Sequence, residues 1–129
     1  MIKAYEQYEV WFVTGAQLLY GGDAVKVVDG HSTEMVQGLN DSGKLPVKVV
    51  YKGTANSSKE VETVVKAANN DVRCIGVITW MHTFSPAKMW IHGLLQLKKP
   101  LMHLHTQYNK EIPWDTMDMD FMNLNQSAH

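Results

Sequence analysis

The chain has 129 residues, 45% of them hydrophobic, which suits one domain with a sizeable core and is short for two. Its 12 Lys and Arg residues nearly balance its 13 Asp and Glu residues, so the charge totals exclude a strongly basic, polyanion-binding surface. No run approaches the roughly 18 apolar residues of a membrane span, and the amino terminus lacks a basic and apolar leader. We therefore expect a single soluble, cytoplasmic domain over residues 1–129, with no nucleic acid or membrane partner.

Four short runs rich in β-branched and aromatic residues predict four strands. The third run contains Cys74, the only cysteine, and its apolar neighbours Ile75 and Val77 predict a buried, inert thiol. Without a second cysteine, no disulfide can form within the chain. The predicted strands cover residues 8–14, 45–51, 74–80 and 100–105.

The segment between the first two predicted strands has the spacing of an amphipathic helix over residues 23–40. The turn-forming sequence Asn40-Asp41-Ser42-Gly43 then predicts its end. Five residues lie close to one helical stripe and are predicted to face the sheet: Val27, Val28, His31, Met35 and Leu39.

A second helix is predicted from Ser57, because Ser57 and Glu60 have the spacing of a capping box. The polar sequence Asn69-Asn70-Asp71 predicts where this helix stops. Its buried face is predicted to contain Val61, Val64, Val65 and Ala68.

A third helix is predicted after Ser85, which would be the capping residue before a proline, Pro86, at the first helical position. Lys98 and Lys99 would lie at its carboxyl end, where positive charge is favourable. The predicted apolar stripe contains Met89, Trp90, Gly93, Leu94 and Leu97.

Strands that alternate with helices of this length predict right-handed crossovers and a parallel sheet with helices on both faces. The fold class is therefore α/β, a flavodoxin-like doubly wound three-layer sandwich with a mainly parallel sheet. A strand order of 2-1-3-4 would place the topological switch between the first and third strands. The loops that follow Gly15 and Trp80 should then flank a crevice, where functional residues are expected.

The first of these loops is Gly15-Ala16-Gln17-Leu18-Leu19-Tyr20-Gly21-Gly22. Its glycine spacing matches neither the dinucleotide-binding fingerprint nor the P-loop. Gln17 and Tyr20 have amide and hydroxyl groups suited to hydrogen-bonding the hydroxyls of a sugar. The residues alone leave open a second interpretation, a turn whose glycines only satisfy backbone geometry.

Several titratable residues invite a metal or catalytic hypothesis. His82 follows the third predicted strand, at the edge where ligands usually bind, but the residue pattern favours a structural histidine that bonds to the loop backbone. His103 and His105 alternate along the fourth strand and would share a face, without an acidic partner at a recognisable offset. An acidic cluster of Glu111, Asp115, Asp118 and Asp120 lacks the glycine and terminal glutamate of a calcium loop, which favours a solvated surface run.

Two blocks of sequence resemble the amino-terminal domain of bacterial L-arabinose isomerases. They are residues 8–21, Tyr-Glu-Val-Trp-Phe-Val-Thr-Gly-Ala-Gln-Leu-Leu-Tyr-Gly, and residues 80–91, Trp-Met-His-Thr-Phe-Ser-Pro-Ala-Lys-Met-Trp-Ile. Residues 99–109 and 114–129 resemble the same family, so the likeness extends over the whole chain. The first loop departs from many relatives, because Ala16 and Leu18 replace a serine and a histidine.

The resemblance implies an aldose–ketose isomerase that interconverts L-arabinose and L-ribulose and, in many members, D-galactose and D-tagatose. The family uses a divalent metal, commonly Mn²⁺, held by two glutamates and two histidines of later domains. None of those four positions falls within these residues, so the resemblance implies no metal ligand and no catalytic residue in this chain.

The resemblance also implies that this domain lends sugar-binding residues to the active site of a neighbouring subunit. We therefore expect a homo-oligomer and an aldopentose or aldohexose as the ligand. The matching substrate-binding positions are Gln17, Leu19, Tyr20, Gln126 and His129.

Three functional hypotheses follow for the chain. In the first, it is the substrate-lending and oligomerising domain of an L-arabinose isomerase and, as a truncated chain, is nearly inactive alone. In the second, it is a minimal isomerase with a metal recruited by its own histidines and acidic residues. In the third, it is a non-catalytic module that binds isomerase subunits through an exposed apolar surface.

Overall fold

The computed structural model describes residues 5–16, 22–83, 86–106, 108–111, 114–116 and 118. Strands and helices alternate along these residues, as the sequence predicted. The strands are β1 (Glu9–Gly15), β2 (Lys48–Ala55), β3 (Cys74–Met81) and β4 (Leu101–Leu104). The helices are α1 (Gly22–Asp41), α2 (Ser58–Asn70) and α3 (Ile91–Gln96), and a 3₁₀ turn, Ala87–Trp90, runs directly into α3.

The described strands form one four-stranded sheet in the order β2-β1-β3-β4, and every neighbouring pair is parallel. The predicted order is therefore confirmed. The carboxyl ends of three strands are level, since Gly15 lies opposite Ala55 on one side and Met81 on the other. The three chain segments that leave these strands consequently start at one edge of the sheet.

Helices cover both faces of the sheet, which confirms the α/β sandwich. Side chains alternate along a strand, so β1 sends Phe12 to the face under α1 and Trp11 and Val13 to the face under α2 and α3. Phe12 packs there with Val49, Ile78 and Trp80, whereas Trp11 and Val13 pack with Val61, Val65 and Trp90.

The stripe of α1 that faces the sheet differs from the predicted one by about one residue. Val28, Ser32 and Val36 are buried, with Met35 and Leu39 beside them, but Val27 is 41% exposed. The interval of four residues from 28 to 36 defines the stripe. The prediction selected apolar residues, so it omitted Ser32, which is polar but lies at the centre of the buried stripe.

The predicted cap of α2 is confirmed, with one difference. The hydroxyl of Ser57 accepts a hydrogen bond from the main-chain N–H of Glu60 at 3.2 Å. In a full capping box the Glu60 carboxylate would accept from the N–H of Ser57 itself. Here it accepts from the preceding N–H, that of Asn56, at 3.3 Å.

The third helical segment begins differently from the prediction. Pro86 precedes the helical residues instead of occupying the first of them, and the first turn is a 3₁₀ turn. The proposed cap, Ser85, lies outside the described residues. Close approach to α2 fixes the position of α3, because a Cβ at Gly93 would lie 2.5 Å from Cγ1 of Val61.

The second and fourth strands have different bounds from those predicted. β2 begins three residues later and ends four residues later than the predicted 45–51, and it passes through Gly53 at a φ of 105°. A glycine at that position interrupts the run of β-branched and aromatic residues from which strands are predicted. β4 ends at Leu104, so His105 lies outside the strand and does not share a strand face with His103.

Cys74 is fully buried, as predicted. Burial raises the pKa of its thiol, so this side chain is a poor nucleophile. None of the described helices is both long enough and apolar enough to cross a membrane.

Candidate functional site

The carboxyl edge of the sheet between β1 and β3 is the candidate site. On either side of this point the chain turns towards opposite faces, as the position of α1 opposite α2 and α3 shows. Ligands of open α/β sheets usually bind at such a switch. The main-chain N–H of His82 donates to the carbonyl oxygen of Gly15 at 3.0 Å, and the N–H of Ala16 donates to that of Ala55 at 3.1 Å. The end of β1 is thus fixed by both neighbouring strands.

Gly15 itself has no room for a side chain. A Cβ there would lie 2.7 Å from Nε1 of Trp90, and it would also overlap Sδ of Met81. Trp90 is 1% exposed, and its indole nitrogen has no hydrogen-bond partner among the residues that the structure describes. The last residue of β1 is therefore enclosed by side chains from β3 and the 3₁₀ turn.

A column of four rings stands beside this edge, on the α1 side, and consists of two stacked pairs that meet at a tilt. Trp80 stacks on His82 with ring centroids 4.0 Å apart, and His31 stacks on Tyr108 at 3.6 Å. The two imidazoles meet in the middle, where Nδ1 of His31 lies 2.7 Å from Nε2 of His82. The column joins residues from β3, from the turn after β3, from α1 and from the segment after β4.

Both imidazoles of the column are neutral at pH 7. Burial, and after it repulsion from His31, lowers the pKa of His82 to about 3. Burial also lowers the pKa of His31, although the Glu34 carboxylate acts in the opposite direction. Of the two neutral rings, one donates and the other accepts the shared hydrogen bond.

Tyr108 closes the column on its outer side. Its hydroxyl donates a hydrogen bond to the carboxylate of Glu34, three residues after His31 on α1. That bond raises the pKa of Tyr108 above its ordinary value. The segment after β4 is thereby bound to α1 through both its ring and its hydroxyl.

A second polar group lies between α1 and the ends of β1 and β2. Oδ1 of Asp29 accepts hydrogen bonds from the hydroxyl of Tyr51 at 2.6 Å and from that of Thr54 at 2.5 Å. Burial, followed by the Asp29 bond, raises the pKa of Tyr51 to about 12. Beside them, the hydroxyls of Thr14 and Ser32 are 2.6 Å apart. Sequence reasoning missed this group, and the polar Ser32 within an apolar stripe was its only signal.

The substrate-binding residues expected from the sequence lie outside the described residues. This applies to all five, Gln17, Leu19, Tyr20, Gln126 and His129. The described chain reaches Ala16, the residue before Gln17, and resumes at Gly22 with α1. The structure thus describes the end of β1, where the first loop begins, and the start of α1, which follows the loop.

The histidines and acidic residues considered as metal ligands do not come together. Nδ1 of His103 lies 2.9 Å from the hydroxyl of Thr79, and His105 lies beyond the end of β4. Glu111, Asp115 and Asp118 are exposed, and Asp120 lies outside the described residues. Nowhere in the described part of the chain do three His, Cys, Asp or Glu side chains lie close enough together to hold a metal ion. The described members of this set therefore form no metal site of the kind considered from the sequence.

Comparison with known proteins gives one consistent result. Residues 4–129 match the domain family described as the L-arabinose isomerase N-terminal domain. The chain is 88% identical over all 129 residues to an L-arabinose isomerase of Phocaeicola vulgatus and 85% identical to one of Bacteroides thetaiotaomicron. It is 59% identical over its full length to an L-arabinose isomerase of Clostridium beijerinckii. The match covers 25% of the length of the first two relatives and 26% of the third.

Proposed function

The chain belongs to the L-arabinose isomerase family, as its N-terminal domain, and we propose that it supplies sugar-binding residues to an aldose–ketose isomerase. The reaction we propose for the whole enzyme is the conversion of L-arabinose to L-ribulose, with D-galactose to D-tagatose as a second reaction. The sugar is then an open-chain aldopentose or aldohexose with several hydroxyl groups to recognise.

One observation supports this proposal above the others. The strand order β2-β1-β3-β4 puts the end of β1 at the topological switch of the sheet, where its last carbonyl hydrogen-bonds to the N–H of His82. Gln17, Leu19 and Tyr20 follow within five residues of Gly15 in the sequence. The loop proposed to bind sugar therefore starts at the position where this class of fold normally binds its ligands.

The proposed role of this chain is to bind and orient the sugar. The amide of Gln17 and the hydroxyl of Tyr20 can each donate and accept hydrogen bonds, which matches the mixed donor and acceptor character of sugar hydroxyls. Gln126 and His129 would add polar contacts, and Leu19 an apolar one. The metal of the resembled family would stabilise charge on the sugar oxygens, and we propose that its ligands lie outside these residues.

We propose further that residues 1–129 form one domain and that the whole enzyme is a cytoplasmic homo-oligomer. We propose that the sugar-binding loop of this domain faces a metal site in a neighbouring subunit, which is what the resemblance implies. Nucleic acid and membranes have no part in the proposal, in keeping with the nearly balanced charge.

The first experiment measures ketose formation by the purified chain. Protein from an isomerase-deleted host is incubated with L-arabinose and with D-galactose, with and without Mn²⁺ and after chelation. We expect no ketose above the metal blank. Activity that disappears on chelation and returns with Mn²⁺ would contradict the proposal and favour a minimal isomerase, which the separated histidines and acidic residues do not favour.

The second experiment tests the sugar-binding role directly. In a hybrid enzyme, this chain replaces the matched quarter of the Phocaeicola vulgatus isomerase, to which it is 88% identical. We expect the hybrid to convert L-arabinose, and Gln17→Ala to lower kcat/KM by about tenfold, the effect of one lost hydrogen bond to substrate. Gln37→Ala on the exposed face of α1 is the matched control and should leave kcat/KM unchanged. An active hybrid that tolerates Gln17→Ala would contradict the proposed role.

A further inference from the structure

His82 connects four parts of the carboxyl edge that are distant in sequence. Its main-chain N–H binds the end of β1, its ring lies flat against Trp80 of β3, and its Nε2 meets Nδ1 of His31 on α1. Through His31 the connection extends to Tyr108, beyond β4.

The ring of His82 has few ways to satisfy its polar atoms. The side chain is 1% exposed, so water does not replace a lost partner, and an unpaired buried nitrogen is costly. Its partner His31 is only partly buried and is itself held between the His82 ring and the Tyr108 ring. Orientation of the His82 ring therefore depends on His31, and that of His31 depends on Tyr108.

We propose that His82, braced by His31, is a positioning residue for the sugar site: it fixes the carboxyl end of β1, from which the chain enters residues 17–20. This inference rests on the proposed function, because His82 can position a sugar-binding loop only if residues 17–20 bind sugar. His82 touches no substrate in this proposal and acts through the main chain of Gly15.

The charged and titratable groups around the pair make the arrangement sensitive to acid. Glu34 faces His31 from α1 and is bound to Tyr108, which faces it from the segment after β4. Asp29, also on α1, accepts hydrogen bonds from Tyr51 and Thr54 of β2. The Thr14 hydroxyl of β1 lies 2.6 Å from that of Ser32 on α1. The hydrogen bond between Nδ1 of His31 and Nε2 of His82 needs a proton on only one of these nitrogens. When both rings are protonated, two N–H groups point at each other and the bond breaks.

The test compares two variants of His31 in the hybrid enzyme. His31→Phe keeps an aromatic ring beside Tyr108 but removes the partner of His82, and we expect the KM for L-arabinose to rise about tenfold while kcat changes less than twofold. His31→Gln keeps a side chain that can hydrogen-bond, and it should restore the KM to within about twofold of the parent. Thr33→Ala, on the exposed face of α1, is the control and should have no effect.

A pH profile adds a readout that a purely structural role would not affect. The parent hybrid should keep a constant KM through mildly acidic pH and lose sugar affinity only when the pair takes up protons. Tyr108→Ala removes the outer ring that shields His31, so the loss should begin about one pH unit higher. His31→Gln should abolish that part of the profile.

Failure of the inference and failure of the proposed function give different results. An active hybrid in which Gln17→Ala raises KM but His31→Phe does not would overturn the inference alone. If the hybrid is inactive, hydrogen exchange of the His82 amide in the chain itself decides the matter. We expect about tenfold faster exchange in His31→Phe than in His31→Gln. Equal protection in both variants would overturn the positioning role.

Discussion

At the scale of single residues, the site depends on side chains that fit without spare room. Gly15 shows this most clearly, since the space for a Cβ is already occupied by Met81 and Trp90. Gly38, on α1, is the opposite case, because no atom lies within 4 Å of its hypothetical Cβ. The two glycines look alike in the sequence and differ only in their tertiary surroundings.

We predict that Gly15→Ala lowers the free energy of unfolding by about 1–3 kcal/mol, the usual cost of forcing extra volume into a packed site. Gly38→Ala should instead raise it by about 0.5–1 kcal/mol, because alanine favours the helix and meets no obstacle. Urea unfolding followed by tryptophan fluorescence measures both. Equal effects of the two substitutions would show that Gly15 is not enclosed as described.

The buried imidazole of His82 predicts a loss of stability in acid. Its pKa is about 3 in the folded chain and 6.5 as a model value, so between these limits only the unfolded chain binds the proton. The contribution of neutral His82 to the free energy of unfolding is fully present above pH 6.5. Below that pH it falls by up to about 1.4 kcal/mol per pH unit. Urea unfolding of the parent and of His82→Phe from pH 7.5 to 5 should therefore converge as the pH falls. A constant difference between them would contradict the neutral, buried state, and His92→Gln on exposed α3 is the control.

The thiol of Cys74 should react slowly with a disulfide reagent. The side chain is fully buried and its pKa is raised, so little thiolate is available or accessible. We expect reaction over hours in buffer and within seconds to minutes in denaturing urea, measured by release of thionitrobenzoate. Rapid reaction of the folded chain would place Cys74 at the surface.

At the scale of helices and strands, the elements that sequence predicts best are those with a local chemical signal. Ser57 and Glu60 mark the start of α2 by their spacing alone, and the bond between the Ser57 hydroxyl and the Glu60 N–H confirms it. Gly43, with a φ of 68°, follows the end of α1 where a turn was predicted. Such signals depend on neighbours in the chain and need no tertiary contact.

The cap of α2 gives a prediction at this scale. Ser57→Ala removes the acceptor for the main-chain N–H of Glu60, in the first turn of the helix, and should lower the free energy of unfolding by about 1 kcal/mol. Ser58→Ala, one residue later and exposed, removes a hydroxyl of the same size without a cap and should change it by less than about 0.5 kcal/mol. Chemical denaturation monitored by circular dichroism distinguishes the two.

The features that sequence did not predict depend on long-range contacts. The true course of β2 through Gly53 requires its parallel partner β1, and the 3₁₀ turn before α3 requires Trp90 to reach the core under β1. The polar group of Asp29, Tyr51 and Thr54 joins residues from α1 and β2 that share no local motif. For His82 the sequence left structural and functional roles open, and its ring partner, His31, is separated from it by 51 positions.

At the scale of the whole molecule, the two edges of the described sheet are unlike. β2 presents Lys48 and Lys52 along its length, and Lys52 lies over the ring of Trp11, 4.3 Å from its centre. β4 has no Lys, Asp or Glu, and its Leu101 and Met102 are 46% and 53% exposed. Lysines at a sheet edge, as on β2, discourage the addition of a strand from another molecule. An uncharged apolar edge such as β4 does not. An apolar cavity of about 430 Å³ adjoins β4, lined by Val10, Ile78 and Met102 among others.

We therefore predict that the chain alone self-associates through the β4 edge. Sedimentation velocity at increasing concentration should show reversible growth of the sedimentation coefficient, and Met102→Lys should suppress it by placing a charge at that edge. Leu95→Lys, at the strongly exposed end of α3, is the matched control. A chain that stays monomeric at high concentration would contradict this, and it would also count against a module that binds isomerase subunits through this surface.

The order of the strands has a consequence for synthesis on the ribosome. Of the four described strands, β1 comes first in the sequence, yet it lies in the interior of the sheet, between two partners that follow later in the chain. Its pairing with β3 reaches from Gly15 to Met81, so that contact forms only after residue 81 has left the exit tunnel. Until then the apolar run from Val10 to Val13 lacks one of its two partner strands, and at this stage a nascent-chain chaperone could shield it.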